Sequence, residues 1–235
     1  MIENSEVNAV RYGNVIEGRF LSRPNRFIAL VETEEGTQTV HVKNTGRCKE
    51  LLVKGAKVYL AMGSNPNRKT AYDLIAVEKG DVLINMDSQA PNKVFAEWAR
   101  EGGFPDSVTD IHPEVRYGES RLDFALQTDD GMHFVEVKGV TLEKDGNARF
   151  PDAPTERGVR HILELKKAVE KGHKASICFI LQFSGAKSLS PNDDTHPEFG
   201  TALRDAARSG VNVYAYDCYV TPDSILIDRE VPILL

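Results

Sequence analysis

Three charged residues interrupt two short apolar runs in "RLDFALQTDDGMHFVEVKG", residues 121–139: Asp123, Glu136 and Lys138. Their types suit the hydrolysis of a phosphodiester, which resists attack because its own charge repels nucleophiles. Two carboxylates can hold Mg2+, a hard cation that takes oxygen ligands and keeps several waters; Mn2+ accepts the same donors. Such an ion polarises a phosphoryl oxygen and lowers the pKa of a bound water. A lysine two residues beyond one carboxylate emerges on the same strand face. Its ammonium can orient the attacking water or neutralise charge in the transition state. Asp123 and Glu136 are therefore the candidate metal ligands, and Lys138 the candidate catalytic lysine. A V-E-V-K strand is equally the pattern of a sheet with one solvated face, and spacing alone leaves both readings open.

These side chains need a hairpin to bring them together. The "TDDG" turn (128–131) is short enough to pair 121–127 with 132–138. Alternation puts Phe124 and Leu126 on one face and Asp123 on the other; it likewise separates Val135 and Val137 from Glu136 and Lys138. Register decides whether the carboxylates meet, because a one-residue slip moves every side chain to the other face. Upstream, "NKVFAEWAREGG" (92–103) reads as an amphipathic helix stopped by a glycine pair, with a strand near "EVRYG" after it. Downstream, "TERGVRHILELKKAVEKG" (155–172) is the clearest helix. Thr155 is its N-cap, Gly172 its stop, and Val159, Ile162, Leu163, Leu165 and Val169 its apolar stripe. "ASICFILQF" (175–183) is the nearly continuous apolar run of a strand covered on both faces. "PEFGTALRDAARSG" (197–210) then reads as a helix and "VNVYAYDCY" (211–219) as a strand. The order αβββαβαβ predicts an α/β domain with a mixed sheet.

The first 80 residues are β-rich. Strand candidates at 15–22, 27–33, 37–44, 57–63 and 71–77 are separated by "RPNR", "EEG" and "SNPNRK". "TGRCKELL" reads as a turn and a short helix between the third and fourth strands, which is the order of an OB barrel. The expected fold class is thus α+β with two domains. An OB-fold nucleic-acid-binding domain covers 1–82 and the α/β domain covers 83–235, with a linker near 78–92. Arg23, Arg26, Lys43 and Arg47 are the barrel's candidate phosphate contacts, and Phe20 or Phe27 could stack on a base.

At 41% hydrophobic and 27% charged, the 235 residues have the composition of an ordinary soluble globular protein. No apolar run approaches the roughly 20 residues of a membrane helix. The N-terminus lacks the basic and apolar regions of a secretory signal. Cys48, Cys178 and Cys218 are too few and too scattered for a disulfide framework or zinc knuckle. Cytoplasmic residence is expected, with no membrane partner. The net charge of −6 argues weakly against a nucleic-acid partner, but it hides an asymmetry: residues 1–80 carry 12 basic and 9 acidic side chains, the rest 17 and 26. A mildly basic front half suits a binding module, and an acidic back half a carboxylate-bearing one. The chain has no P-loop, dinucleotide fingerprint or nucleophile elbow.

The pattern Asp … Glu-x-Lys within an αβββαβ core resembles the PD-(D/E)XK nuclease superfamily, with Leu122 where a proline often precedes the Asp. Such nucleases often add a glutamate from the first helix, for which Glu97 is the candidate. More of the chain is similar to the SfsA family, the sugar fermentation stimulation protein A. "NTGR" (44–47), "RLDF" (121–124), "VEVKGVTL" (135–142), "FPDAPTERGVRHILEL" (150–165) and the ending "VPILL" carry the likeness in order. The resemblance implies an OB-fold followed by a PD-(D/E)XK nuclease-like domain. It implies DNA binding and a metal-dependent nuclease acting on DNA or RNA, with Mg2+ (or Mn2+) held by Asp123 and Glu136 and with Lys138 catalytic. Arg157, His161 and Glu164 lie in the matching block and share one helix face by spacing, where they could contact the scissile phosphate or a metal-bound water. Lys43 stands where the family would have proline. A homodimer is a candidate assembly. The alternative reading is a non-catalytic DNA-binding regulator of sugar catabolism that retains a nuclease fold. A third, a binder of another protein or a sugar-related ligand, has no residue pattern behind it.

Overall fold

The computed structural model describes residues 10–235 except 45, 64 and 66. After a short strand β1 (Val10–Arg11) come β2 (Val15–Asn25), β3 (Ile28–Thr33), β4 (Gly36–Val42), β5 (Lys57–Met62), β6 (Tyr72–Lys79) and β7 (Val82–Asn85). The sheet order is β4-β3-β2-β5-β6-β7, and a parallel pairing of β4 with β6 closes β2–β6 into a five-stranded OB barrel. Inward positions alternate along the strands, so Ala29, Val31, Val40, Val42, Val58, Leu60 and Leu74 fill the interior.

Two barrel expectations change. "TGRCKELL" forms no helix among its described residues. Leu51 and Leu52 both donate backbone N–H bonds to the Cys48 carbonyl, and the chain turns at Gly55. A run this short cannot offset the cost of a helical nucleus; it plugs the barrel with Leu51 instead. The linker expected near 78–92 is a structured junction. β6 runs to Lys79, Gly80 takes a φ of 59° to turn the chain, and β7 returns along β6. Asn85 then fixes the junction to the second domain, donating its backbone N–H to the Gln182 carbonyl and accepting a side-chain bond from Gln182.

The second domain contains α1 (Ala90–Arg100), β8 (Val108–Tyr117), β9 (Ser120–Thr128), β10 (Gly131–Val140), β11 (Glu143–Lys144), β12 (Asn147–Phe150), α2 (Glu156–Glu170), β13 (Lys174–Leu181), β14 (Ser188–Pro191), α3 (Pro197–Arg208), β15 (Asn212–Thr221) and β16 (Ser224–Glu230). Its seven-stranded mixed sheet has the order β1-β16-β15-β13-β10-β9-β8, with β10, β13 and β15 parallel. Helix α1 covers one face, packing Val94 and Phe95 with Phe124, Val135 and Val137. Helices α2 and α3 cover the other, packing Ile162, Leu165 and Leu203 with Leu122, Ile177 and Phe179. The two-domain fold class expected from the sequence is the one observed. Leu163 does not join the α2 stripe; it is 46% exposed, one position off the buried Ile162–Leu165 face. Strands β11, β12 and β14 form a small separate sheet, too short to leave an alternating pattern in the sequence. No helix among the described residues is long and apolar enough to cross a membrane.

Candidate active site

The hairpin register answers the question that spacing leaves open. Strands β9 and β10 pair from Thr128 with Gly131 up to Phe124 with Val135, and stop there. Glu114, at φ 53°, kinks β8 opposite this point. Alternation breaks on β9 here: Leu122 joins the core under α2 and α3, while Phe124 joins the core under α1. Where the strands part, the Val137 N–H loses its ladder partner and donates to Asp123 Oδ2 at 2.9 Å. Asn92, in the first turn of α1, donates to the other oxygen at 3.0 Å. Asp123 is thereby pinned at the fork between the two strands.

Glu136 stays on β10, whose far side pairs with β13. Its side chain is 2% exposed and faces α2. His161 Nδ1 and Lys138 Nζ both donate to its Oε1, and Arg157 Nε donates to His161 Nε2 at 3.3 Å. His161 thus faces Glu136 with Nδ1 and Arg157 with Nε2. Burial works against an ionised Glu136, but His161 and Lys138 outweigh it and hold the carboxyl below its usual range. Asp123 goes the other way: burial first, and the Glu136 charge second, raise it against the Val137 amide and Lys138. The two carboxylates are thus close enough to repel each other, with their acidities driven apart.

Glu136 Oε2 is buried and has no hydrogen-bond partner, and neither has Glu97 Oε2 on α1. An orphaned buried carboxylate oxygen is costly unless something pairs with it, and a divalent cation is a natural partner. Glu97 and Asp123 also line one depression of about 480 Å³ with Asn92, Lys93 and Arg100. Among the described residues no three Asp, Glu, His or Cys side chains converge as a complete metal cage. Two carboxylates with water completing the shell is the usual way proteins bind Mg2+, and Asp123 and Glu136 fit that mode.

The structure regroups the other expected site residues. His161 reaches Glu136, and Arg157 backs it through His161 Nε2, whereas Glu164 lies one turn further along α2, against Gly118 and paired with Lys167 at 2.8 Å. Equal helix face is not equal depth along the axis. Arg23 is no free phosphate contact: it donates to the carbonyls of Gly46 (2.9 Å), Arg47 (3.0 Å), Arg26 (2.7 Å) and Asn44 (2.6 Å). Lys43 is likewise engaged, by buried Asp87 at 2.6 Å. Phe20 is 4% exposed in the barrel core and cannot stack on a base. Arg26 and Arg47 remain exposed, and Arg26 sits 5.4 Å over the ring of Phe27, itself 49% exposed at the β2–β3 turn. Asn92 was missed by sequence reasoning; its signal is a polar residue in the first turn of α1.

A second chain of polar groups mimics a hydrolase triad. His133 donates from Nδ1 to Asp106 at 2.6 Å and accepts at Nε2 from Ser176 at 2.5 Å. Ser176 and His133 are 0% and 1% exposed, so no substrate can reach this serine and the chain is structural.

An OB barrel feeding a mixed α/β sheet, with a carboxylate pair and lysine at a strand fork, defines a two-domain class. Residues 21–86 match the SfsA N-terminal OB domain, and residues 89–224 match the sugar fermentation stimulation protein RE domain. The chain belongs to the SfsA family. It is 50% identical over 226 residues to a sugar fermentation stimulation protein homolog of Ruminiclostridium cellulolyticum, covering 96% of this chain and all of the relative. A homolog from Desulfitobacterium hafniense is 53% identical over 216 residues, covering 92% and 94%. Among solved structures, SfsA of Pyrococcus furiosus in complex with Ca2+ superposes with a TM-score of 0.89 at 28% identity, covering 97% of this chain and all of that one.

Proposed function

We propose that this protein is a divalent-metal-dependent nuclease that binds nucleic acid and hydrolyses phosphodiester bonds in DNA or RNA, with Mg2+ or Mn2+ as cofactor. The observation that carries the reading is Glu136 Oε2: a buried carboxylate oxygen without a partner, beside a second carboxylate at a strand fork. The Ca2+ complex of the Pyrococcus furiosus relative supports a divalent site with hard oxygen donors. When bound, the metal supplies Lewis-acid polarisation of a phosphoryl oxygen and a water of lowered pKa. The protein's own groups do the rest. Asp123 is held by the Val137 amide and Asn92 so that its carboxylate cannot swing away. His161 fixes Glu136 and keeps it ionised. Lys138, on the same carboxylate, is placed to orient water or neutralise phosphoryl charge. Arg157, exposed and engaged only through Nε, can offer its terminal nitrogens to the phosphate.

The test is cleavage of single- and double-stranded DNA and RNA with Mg2+ or Mn2+, beside Asp123→Ala of unchanged circular dichroism. Activity should fall at least ~100-fold in the variant. A variant that cuts at the wild-type rate refutes the assignment. One observation favours the second reading, a DNA-binding regulator that has kept the fold: the Lys138–Glu136 pair already neutralises itself without metal. Nucleic-acid binding without any cleavage by the wild type would select that reading.

A further inference from the structure

A cleft of about 340 Å³ opens between the barrel and the second domain. Asn44 and Gly46 form its barrel wall; Gly139, Arg149, Phe150 and Asp152 form the opposite one. None of the site assignments above uses it. Val140, two residues beyond Lys138 on β10 and on the same strand face, lines the cleft, so the cleft runs along the strand from the proposed catalytic lysine.

Its walls are held in place. The four carbonyl bonds of Arg23 fix the loop that carries Asn44 and Gly46. Gly46 approaches the other domain so closely that a Cβ there would lie 2.7 Å from Asp152 Oδ2. At Gly139 a Cβ would lie 2.6 Å from Gln182 Oε1, so this wall also depends on the bare backbone. The volume is at the small end of ligand pockets and suits one nucleotide rather than a base pair.

The lining chemistry matches that occupant. Arg149 has a buried Nε without a partner, and its one ion pair is a 3.6 Å contact with Asp194, which is 91% exposed. Its guanidinium is therefore largely uncommitted and suited to a phosphate. Phe150 supplies an apolar wall for a base. Asn44 Nδ2 supplies a donor for base edges, and Asp152 and Gln182 Oε1 supply acceptors; the Gln182 amide N–H groups and Asn44 Oδ1 are already engaged.

We propose that this cleft holds one unpaired nucleotide next to the scissile phosphate, so that the substrate class is single-stranded nucleic acid or a strand with one base turned out of the helix. The inference rests on the nuclease reading of Lys138, but its test does not need cleavage. Full-length protein in EDTA is titrated with three DNAs carrying 2-aminopurine: a single-stranded oligonucleotide, a closed hairpin duplex, and the same duplex with one bulged nucleotide. The single strand should bind at least ~10-fold more tightly than the closed duplex, given what one stacked base and one charge-assisted bond contribute. Arg149→Gln, with unchanged circular dichroism, should lose roughly tenfold on the single strand and nothing on the closed duplex. Bulged duplex binding like the single strand adds the extruded base as a source; bulged duplex binding like the closed one restricts the source to single strands. Equal affinity for single strand and closed duplex overturns the proposal, as does wild-type affinity in Arg149→Gln. Failure of the nuclease reading looks different: no cleavage with Mg2+ or Mn2+ while the single-strand preference stands.

Discussion

Arg23 separates a structural arginine from a nucleic-acid contact, and Arg23→Ala tests the distinction. The side chain donates to four carbonyls of the 26–47 region. The bonds to Gly46 and Asn44 are partly buried; those to Arg47 and Arg26 are exposed, and water can replace them. Each partly buried charged bond contributes about 1.5 kcal/mol net, or about 3 kcal/mol together. Removing Arg23 also removes a buried Nε without a partner, which returns about 1 kcal/mol. The expected loss is about 2 kcal/mol, a fall in Tm of roughly 4–8 °C for a chain of this size. Scanning calorimetry measures it. Nucleic-acid affinity, read against salt at a temperature where the variant is folded, should keep the wild-type slope. Arg26→Ala and Arg47→Ala should each flatten that slope by about 0.7–0.9, the effect of one lost phosphate contact. A Tm within 1 °C of wild type, together with a flattened slope for Arg23→Ala, would refute the clamp.

Burial pushes the His133 imidazole below its ordinary pKa, outweighing Asp106. Below pH about 6.5 the unfolded chain therefore takes up a proton that the folded one refuses, and stability should fall as pH drops from 6.5 toward the lower folded value; urea melts that stay flat between pH 7.5 and 5 contradict this. Phe27→Ala removes a 49%-exposed ring at a turn, so unfolding free energy should change by less than about 0.5 kcal/mol. Single-strand affinity should fall roughly fivefold or more, and an unchanged affinity would remove Phe27 from the binding surface.

The sequence made the long periodic elements readable and the short ones not. Helix α2 declared itself because it buries one face with a regular period, and strand β13 because it is one apolar run buried on both faces. Strands β11 and β12, of two and four residues, carry no period at all. At the site, alternation alone placed Glu136 and Lys138 together. It could not place Asp123, because that carboxylate sits where the strands part and its partner is a backbone amide 14 residues away. The role of Arg23 in its loop is not legible for a related reason: side-chain type shows a charge, but not that three of its four carbonyl partners lie 21–24 residues further on. The helical spacing of His161 and Glu164 gave a shared face, while only the fold shows which turn of that face meets Glu136.

The most direct measurement is cleavage and metal binding compared in one preparation of wild type and Lys138→Ala. If Asp123 and Glu136 hold the ion and Lys138 acts on the water or phosphate, both proteins should bind Mn2+ with similar affinity by calorimetry. Wild type should cut nucleic acid with Mn2+ and stop when the metal is chelated, and Lys138→Ala should cut at least ~100-fold more slowly. Wild type that cuts no DNA or RNA with either metal, or Lys138→Ala that cuts at the wild-type rate, would contradict the account.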